Sequence, residues 1–167
     1  MNIRLAKAED LKRVVGITYA CAVHMISNKI FQWDENYPNL EIFKEDVKNK
    51  SLYVIEDNEL IVGCICISLK IDDVYKDVKW LTPNSNNVYL HRLAIHPNFQ
   101  GQGLALKLME YAEDFTSKNG CVSIRLDTFS GNPKNNKFYI LQGYTKLEKI
   151  FYRNQSDMPF HCFEKIL

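Results

Sequence analysis

The sequence lacks an excess of charge of either sign and has no long hydrophobic run. Its 21 lysines and arginines face 20 aspartates and glutamates, a formal net charge of +1, whereas a protein that binds nucleic acid without sequence preference is expected to be basic. No stretch approaches the roughly 18 apolar residues of a membrane-spanning helix, and the charged amino terminus lacks the apolar core of a signal peptide. We therefore expect a cytoplasmic protein with no nucleic-acid and no membrane partner.

The cysteines do not form the pattern of a disulfide framework or a metal centre. There are five of them, none spaced C-x-x-C, and no cluster of His, Cys and Asp has metal-ligand spacing. Cys64 and Cys66 stand two residues apart in an apolar run, so they share one face of a predicted strand. A free thiol there usually packs as a small hydrophobic residue, with a reactive thiol as the alternative. We predict no metal site.

Internal repeats, low-complexity tracts and linker-like runs of Gly, Ser or Pro are absent as well. The 167 residues are about the size of one domain, and a hydrophobic content of 46% supplies a core for it. We therefore predict a single domain over residues 1–167.

The apolar pattern predicts seven strands and four helices in the order βααβββαβαββ. Alternating or β-branched runs indicate strands, and apolar residues three or four apart indicate helices. The predicted strands are 3–5, 52–56, 60–70, 88–96, 122–126, 144–152 and 160–167. The predicted helices are about 8–28, 37–47, 103–119 and 133–143, and Asp57-Asn58 is the predicted turn between the second and third strands. This order predicts an α/β or α+β fold whose sheet is covered by helices.

The most informative segment joins a predicted strand to the start of a helix. Residues 90–105 read LHRLAIHPNFQGQGLA. Gly101 and Gly103 let the backbone approach an anion at a helix amino terminus, where several N–H groups have no partner within the helix. A phosphate-bearing cofactor is the natural ligand, and a glycine-rich turn before an ordinary helix is the alternative. Leu104 rules out a Walker A loop, and Ser123 stands where a dinucleotide fingerprint has an acid.

Two motifs in the chain resemble those of the GNAT superfamily of acetyl-CoA-dependent N-acetyltransferases. Residues 100–105, QGQGLA, resemble the family's Q/R-x-x-G-x-G/A motif. The family's N-x-x-A-x-x-F-Y-x-x-x-G-F/Y motif is matched by Asn132, Phe138, Tyr139, Gly143 and Tyr144. Asn135 departs from that motif, in which Ala is usual. The resemblance implies acetyl-CoA as the cofactor and a mixed, mostly antiparallel sheet of about seven strands flanked by helices.

The resemblance also assigns the cofactor to particular residues. In the family, a strand corresponding to residues 93–95 offers backbone groups to the pantetheine arm, and the N–H groups of the following turn hold the pyrophosphate. Carried over to this chain, the cofactor-binding residues are Leu93, Ala94, Ile95, Gln100, Gly101, Gln102, Gly103, Leu104, Ala105 and Asn132. Leu93 and Ile95 would act mainly through their backbone, so their side chains are expected in the core. A backbone N–H near Leu93 or Ala94 is expected to stabilise the oxyanion.

Acetyl transfer to an amine needs a base for the amine and a proton for the leaving thiolate. Tyr139 matches the family's usual general acid, and its alternative is a buried structural tyrosine. It lies two helical turns after Asn132, so both are expected on one face. His91 shares strand parity with Leu93, and an imidazole with a pKa near ~6.5 suits a base at neutral pH. Its alternative is a half-buried histidine without a chemical role.

The acceptor site is expected in the first half of the chain. Trp33 and Tyr37 stand beside Asp34 and Glu35, and aromatic rings next to carboxylates suit a cationic amine. The alternative is that both rings only anchor the loop on the core. Residues 34–77 carry a net charge of −6 and residues 88–167 a net charge of +3, which favours a cationic acceptor in one half and an anionic cofactor in the other.

These features predict an N-acetyltransferase that moves the acetyl group of acetyl-CoA directly to a primary amine of a small molecule. A protein amino-terminal or lysine acetyltransferase is the first alternative. A non-catalytic acetyl-CoA sensor or interaction module is the second. The exposed face of residues 160–167 is the candidate surface for a homodimer.

Overall fold

The computed structural model describes residues 1–153 and 155–167, and it contains the elements in the predicted order. The strands are β1 (Asn2–Leu5), β2 (Leu52–Asp57), β3 (Leu60–Ser68), β4 (Asn87–Ile95), β5 (Ser123–Phe129), β6 (Thr145–Ile150) and β7 (Phe160–Ile166). The helices are α1 (Leu11–Ser27), α2 (Leu40–Lys48), α3 (Leu104–Lys118) and α4 (Pro133–Leu141). No helix in these ranges combines the length and the apolar character needed to cross a bilayer.

The strands form a mixed sheet in the order β1-β2-β3-β4-β5-β7-β6. β4 and β5 run parallel, whereas β1 with β2, β2 with β3, β5 with β7 and β6 with β7 run antiparallel. The predicted fold class, a mixed and mostly antiparallel sheet of about seven strands, is therefore confirmed. β7 lies between β5 and β6 and most of its side chains are buried, so it offers little of the exposed face expected for a homodimer.

The chain divides into two compact units, and it passes from one to the other after Ile67, after Leu90 in β4 and after Ala112 in α3. The first unit comprises Met1–Ile67 and His91–Ala112, and the second comprises Ser68–Leu90 and Glu113–Leu167. In the first unit, α1 and α2 pack on β2 and β3 through fully buried apolar side chains. These include Val14, Ile17, Phe43, Leu52, Val54 and Cys64. The apolar face of each helix, predicted from its periodicity, is the face that forms this core.

The second unit contains a buried ion pair. Arg125 on β5 and Glu164 on β7 are opposite each other in register, and Arg125 Nε lies 3.0 Å from Glu164 Oε1 with both side chains fully buried. Ser123 donates to the same oxygen at 2.7 Å, and the guanidinium carbon lies 4.6 Å from the ring centre of Trp80. Buried charges need several partners of this kind. The pair thus ties residues 71–87 to the sheet.

Several predicted boundaries were wrong by two or three residues; for example, α1 begins at Leu11 and not at 8, and β5 ends at Phe129 and not at 126. The β2–β3 turn consists of Asn58 and Glu59, with φ of 49° and 65°, because Asp57 still pairs with Leu60 in the ladder. Two left-handed residues give a hairpin turn the twist of its strands. Helix α2 begins at Leu40 and not at Tyr37, because the Asn39 side chain caps it by accepting the N–H of Ile42 at 3.1 Å.

The prediction that Cys64 and Cys66 are core residues is confirmed. Both lie on β3 and are almost completely buried. Burial raises the pKa of the Cys66 thiol to about 11, so this thiol is protonated and a weak nucleophile at neutral pH. The reactive-thiol alternative therefore has no support from its surroundings.

Candidate active site

Strand β4 contains a left-handed residue. Arg92 has a φ of 53°, which is uncommon for a residue with a side chain. Residues 87–90 are buried, whereas 91–93 are half-buried. A left-handed residue interrupts the alternation of side chains along a strand. The expectation that His91 and Leu93 share one face therefore does not follow from strand parity.

The guanidinium of Arg92 is held by the first unit. Its Nε and Nη2 donate to the two carboxylate oxygens of Asp46 on α2 at 2.9 and 2.8 Å. Burial alone would lower the pKa of Arg92, but Cys66, Asp46 and Tyr37 outweigh it and raise the pKa. The Tyr37 side chain contributes a hydrogen bond. Arg92 therefore joins β4 to α2 and to the loop of residues 31–38.

The segment after β4 turns sharply into α3. The Gln100 side chain closes the turn, because its Nε2 donates to Ile95 O at 3.0 Å. Gly101 and Gly103 have φ of 77° and 76°, and a Cβ at either position would meet no atom within 4 Å. Backbone conformation therefore requires these glycines, and the space beside them is not filled by protein.

The amino terminus of α3 presents its backbone donors at this turn. The N–H of Lys107 donates to Gly103 O at 3.1 Å, so the helix ladder starts there. The N–H groups of residues 104–106 precede the first intrahelical bond, and such groups take partners from outside the helix. Together with the open space at both glycines, they form a cradle for an anion.

The other predicted cofactor residues of the first unit differ in exposure. Ala94, Ile95 and Leu104 are buried, which suits a contribution through the backbone. Leu93 and Ala105 are half-buried and Gln102 is exposed.

In the second unit, Asn132 and Tyr139 lie on the segment that builds α4. Asn132 Oδ1 accepts the N–H of Asn135 at 3.1 Å, and Pro133 takes the first helical position. Asn132 therefore caps the helix, as is typical of an Asn that precedes a Pro at the first helical position. Asn135, which stands where the motif has Ala, contributes only its backbone N–H to this bond. The cap therefore does not depend on the side chain at position 135.

Tyr139 is a buried phenol in an aromatic cluster. Only 7% of the residue is exposed, and its ring centre lies 5.9 Å from that of Tyr144 and 5.7 Å from that of Phe163. Burial, assisted by the charge of Asp127, raises the pKa of Tyr139 well above its ordinary value. The phenol is therefore protonated at neutral pH, and its role as a general acid stays a prediction.

The remaining predicted site residues lie in the first unit. His91 is half-buried, and burial together with the charge of Arg92 lowers the pKa of its imidazole to about 3, so the ring is neutral at physiological pH. Trp33 packs against the hydrophobic core, and Tyr37 bonds to Arg92. Asp34 Oδ1 accepts the N–H of Tyr37 at 2.8 Å. These contacts anchor the loop, and an acceptor role for both rings stays a prediction.

Comparison with known proteins shows the family of this chain. Residues 20–144 match the model of the Acetyltransferase (GNAT) family. The chain belongs to the GNAT family. It is 30% identical over 160 residues to the uncharacterized N-acetyltransferase YesJ of Bacillus subtilis, covering 94% of this chain and 85% of that protein. It is 27% identical over 112 residues to N-alpha-acetyltransferase 30 of Saccharomyces cerevisiae, covering 63% and 58%.

One solved structure matches almost the whole chain. The paia N-acetyltransferase of Thermoplasma acidophilum, solved in complex with coenzyme A, superimposes with a TM-score of 0.73 at 17% identity, covering 99% of this chain and 98% of that one. At this identity the likeness shows the fold. This GNAT protein and the Thermoplasma protein thus have similar folds.

Two buried hydroxyl groups just before Asn132 were not found from the sequence. At the end of β5, Thr128 Oγ1 and Ser130 Oγ are buried and have no hydrogen-bond partner among the described residues. Buried hydroxyls are rarely left in this state, so a polar ligand at this end of β5 would satisfy them. Both residues shortly precede Asn132 in sequence. Ser and Thr are too common in strands for the sequence to mark them.

Proposed function

We propose that this GNAT protein transfers the acetyl group of acetyl-CoA directly to a primary amine of a small molecule. The observation that carries the proposal is the glycine turn, where Gly101 and Gly103 leave open space at the amino terminus of α3. When bound, acetyl-CoA supplies the acetyl group as an activated thioester. Its pyrophosphate matches the anion cradle in charge.

The residues of the chain have separate roles in this proposal. The backbone of residues 100–105 holds the pyrophosphate, and the backbone of residues 93–95 together with Asn132 holds the pantetheine arm. Tyr139 keeps its proton at Oη because of its raised pKa, and it delivers that proton to the leaving sulfur. His91 has a pKa lowered to about 3, so it does not hold the proton of the attacking amine; it relays that proton toward solvent, accepting at one ring nitrogen as it donates from the other. Because the ring does not titrate near neutral pH, His91→Ala is expected to lower kcat without shifting the pH-rate profile, and an unchanged kcat would remove this role.

The acceptor class follows from charge and from ring chemistry. Residues 34–77 carry a net charge of −6, and Trp33 and Tyr37 stand among exposed carboxylates there. A small protonated amine would gain from both. Trp33→Ala is expected to raise the KM of the amine without weakening the binding of acetyl-CoA.

A second candidate function is protein amino-terminal acetylation. It is favoured by the similarity to N-alpha-acetyltransferase 30 over 112 residues. The acceptor is again a primary amine, but it is carried by a peptide, which needs an extended groove.

One assay separates these functions. Thiol release from acetyl-CoA is measured with tyramine, spermidine, agmatine and an alanine-starting peptide, each over a range of concentrations. Turnover of the small amines with kcat/KM at least about tenfold above that of the peptide supports the proposal, and the reverse preference supports the second candidate. Binding of acetyl-CoA with no turnover of any acceptor would overturn both and leave the sensor.

A further inference from the structure

A second group of titratable side chains surrounds β5 in the second unit. Because side chains alternate along a strand, Arg125 and Asp127 share one face of β5. Arg125 is fully buried and bound to Glu164 at 3.0 Å. Asp127 is half-buried, in contrast to Arg125.

Two phenols converge on one oxygen of this carboxylate. Tyr75, from the connection between β3 and β4, donates from its hydroxyl to Asp127 Oδ1. Tyr152, which follows β6, donates to the same oxygen at 3.0 Å. A carboxylate oxygen only accepts hydrogen bonds, so both phenols are donors. Three segments far apart in sequence therefore build one anionic group with a fixed orientation.

The surroundings of Asp127 are aromatic. The ring of Tyr75 stacks on Tyr89 at 5.9 Å and meets Trp80 edge-on at 5.4 Å. The ring of Tyr152 meets Phe160 edge-on at 5.0 Å. A carboxylate set among aromatic rings is the combination that binds organic ammonium ions, through ion pairing and cation–π attraction. A phosphate or a carboxylate ligand would be repelled.

The charge of this carboxylate also contributes to the raised pKa of Tyr139, the proposed proton donor. We propose that Asp127, oriented by the phenols of Tyr75 and Tyr152, binds the protonated amine of the acceptor. This inference rests on the proposed function, because Asp127 affects turnover only if the protein acetylates an amine. It adds a binding group for the cation that lies in the second unit, outside the loop of Trp33 and Tyr37.

The kinetic test uses Asp127→Asn, which keeps the shape of the side chain and removes its charge. With tyramine as acceptor, KM is expected to rise at least about tenfold, because a charge partner is lost, while kcat changes less and the KM of acetyl-CoA stays within twofold. Tyr152→Phe, which keeps the ring, is expected to raise the KM of tyramine severalfold. The control is Asp77→Asn, which removes an exposed carboxylate from the same connection as Tyr75 and should change nothing.

A binding test separates this inference from the proposed function. Saturation-transfer NMR is recorded with tetramethylammonium, which cannot be acetylated, and with its neutral isostere tert-butanol. The ammonium signal is expected with the wild type and with Asp77→Asn, and its loss is expected with Asp127→Asn. Equal ammonium signals in the wild type and Asp127→Asn would overturn the inference even if tyramine is acetylated. Loss of the signal in Asp127→Asn without turnover of any amine would support the subsite and overturn the acetyltransferase proposal.

Discussion

Arg92, from its left-handed position in β4, donates to both carboxylate oxygens of Asp46 on α2, at 2.9 and 2.8 Å. The two side chains are only 12% and 10% exposed. Removing one partner leaves the other charge buried without compensation, which costs about 3–5 kcal/mol. Asp46→Ala is therefore expected to lower the free energy of unfolding, measured in urea, by about 3 kcal/mol.

The matched control for this variant is Glu41→Ala on the same helix. Glu41 pairs with Lys44 at the exposed surface, and such a pair is worth less than about 1 kcal/mol. Equal losses in the two variants would contradict the importance of the buried pair.

The glycine turn gives a second prediction. Gly103→Ala places a side chain on a residue with a φ of 76°, which costs about 1–2 kcal/mol in stability, although no atom obstructs the new Cβ. We expect the affinity for acetyl-CoA, measured by calorimetry, to fall at least about tenfold, because the backbone donors lose their orientation. Gly16→Ala in helix α1 is the control, where alanine is expected to stabilise by about 1 kcal/mol. Unchanged affinity in Gly103→Ala would remove the cradle from the proposal.

The parts of the fold and site that the sequence predicted are those set by local chemistry. The order of elements follows from apolar periodicity, and the turn at Gly101 and Gly103 follows from two glycines before an amphipathic helix. The cap at Asn132 follows from the Asn-Pro pair that opens α4. Each of these depends on residues within a few positions of one another, so its signal is contained in a short segment.

The features of the fold and the site that could not be predicted from the sequence depend on contacts between distant segments. Arg92 and Asp46 are 46 residues apart, and Tyr75 and Asp127 are 52 apart. Neither pair has a spacing that marks it. The left-handed Arg92 is likewise set by packing around β4, because nothing in its residue type favours a positive φ. This backbone conformation is also why strand parity failed as an argument for His91.

The buried phenol of Tyr139 gives a third prediction. Its raised pKa keeps it protonated across the neutral and mildly alkaline range, so activity should not fall through deprotonation of Tyr139 up to pH 9. Tyr139→Phe keeps the ring packing and removes the proton, so kcat is expected to fall by about 10²-fold while the KM of acetyl-CoA stays within twofold. The control is Tyr144→Phe, because the Tyr144 hydroxyl is buried without a partner among the described residues. Equal kcat in both variants would exclude the general-acid role.

The neutral imidazole of His91 links stability to pH. In the folded protein its pKa is lowered to about 3, whereas an unfolded chain has a histidine pKa near ~6.5. Between these two pH values the unfolded state therefore binds a proton that the folded state does not bind. Stability falls as the pH drops below about 6.5, by up to about 1.4 kcal/mol per pH unit.

His91→Gln removes this loss of stability at low pH. Between pH 7 and pH 5.5 the free energy of unfolding of the variant should thus rise by about 1 kcal/mol relative to the wild type, as measured by urea titration at each pH. His24→Gln, on the exposed side of α1, is the control and should follow the wild type. Parallel pH dependence in the wild type and His91→Gln would show that the His91 ring titrates alike in the folded and unfolded states. His91 would then be a base with an ordinary pKa in the mechanism.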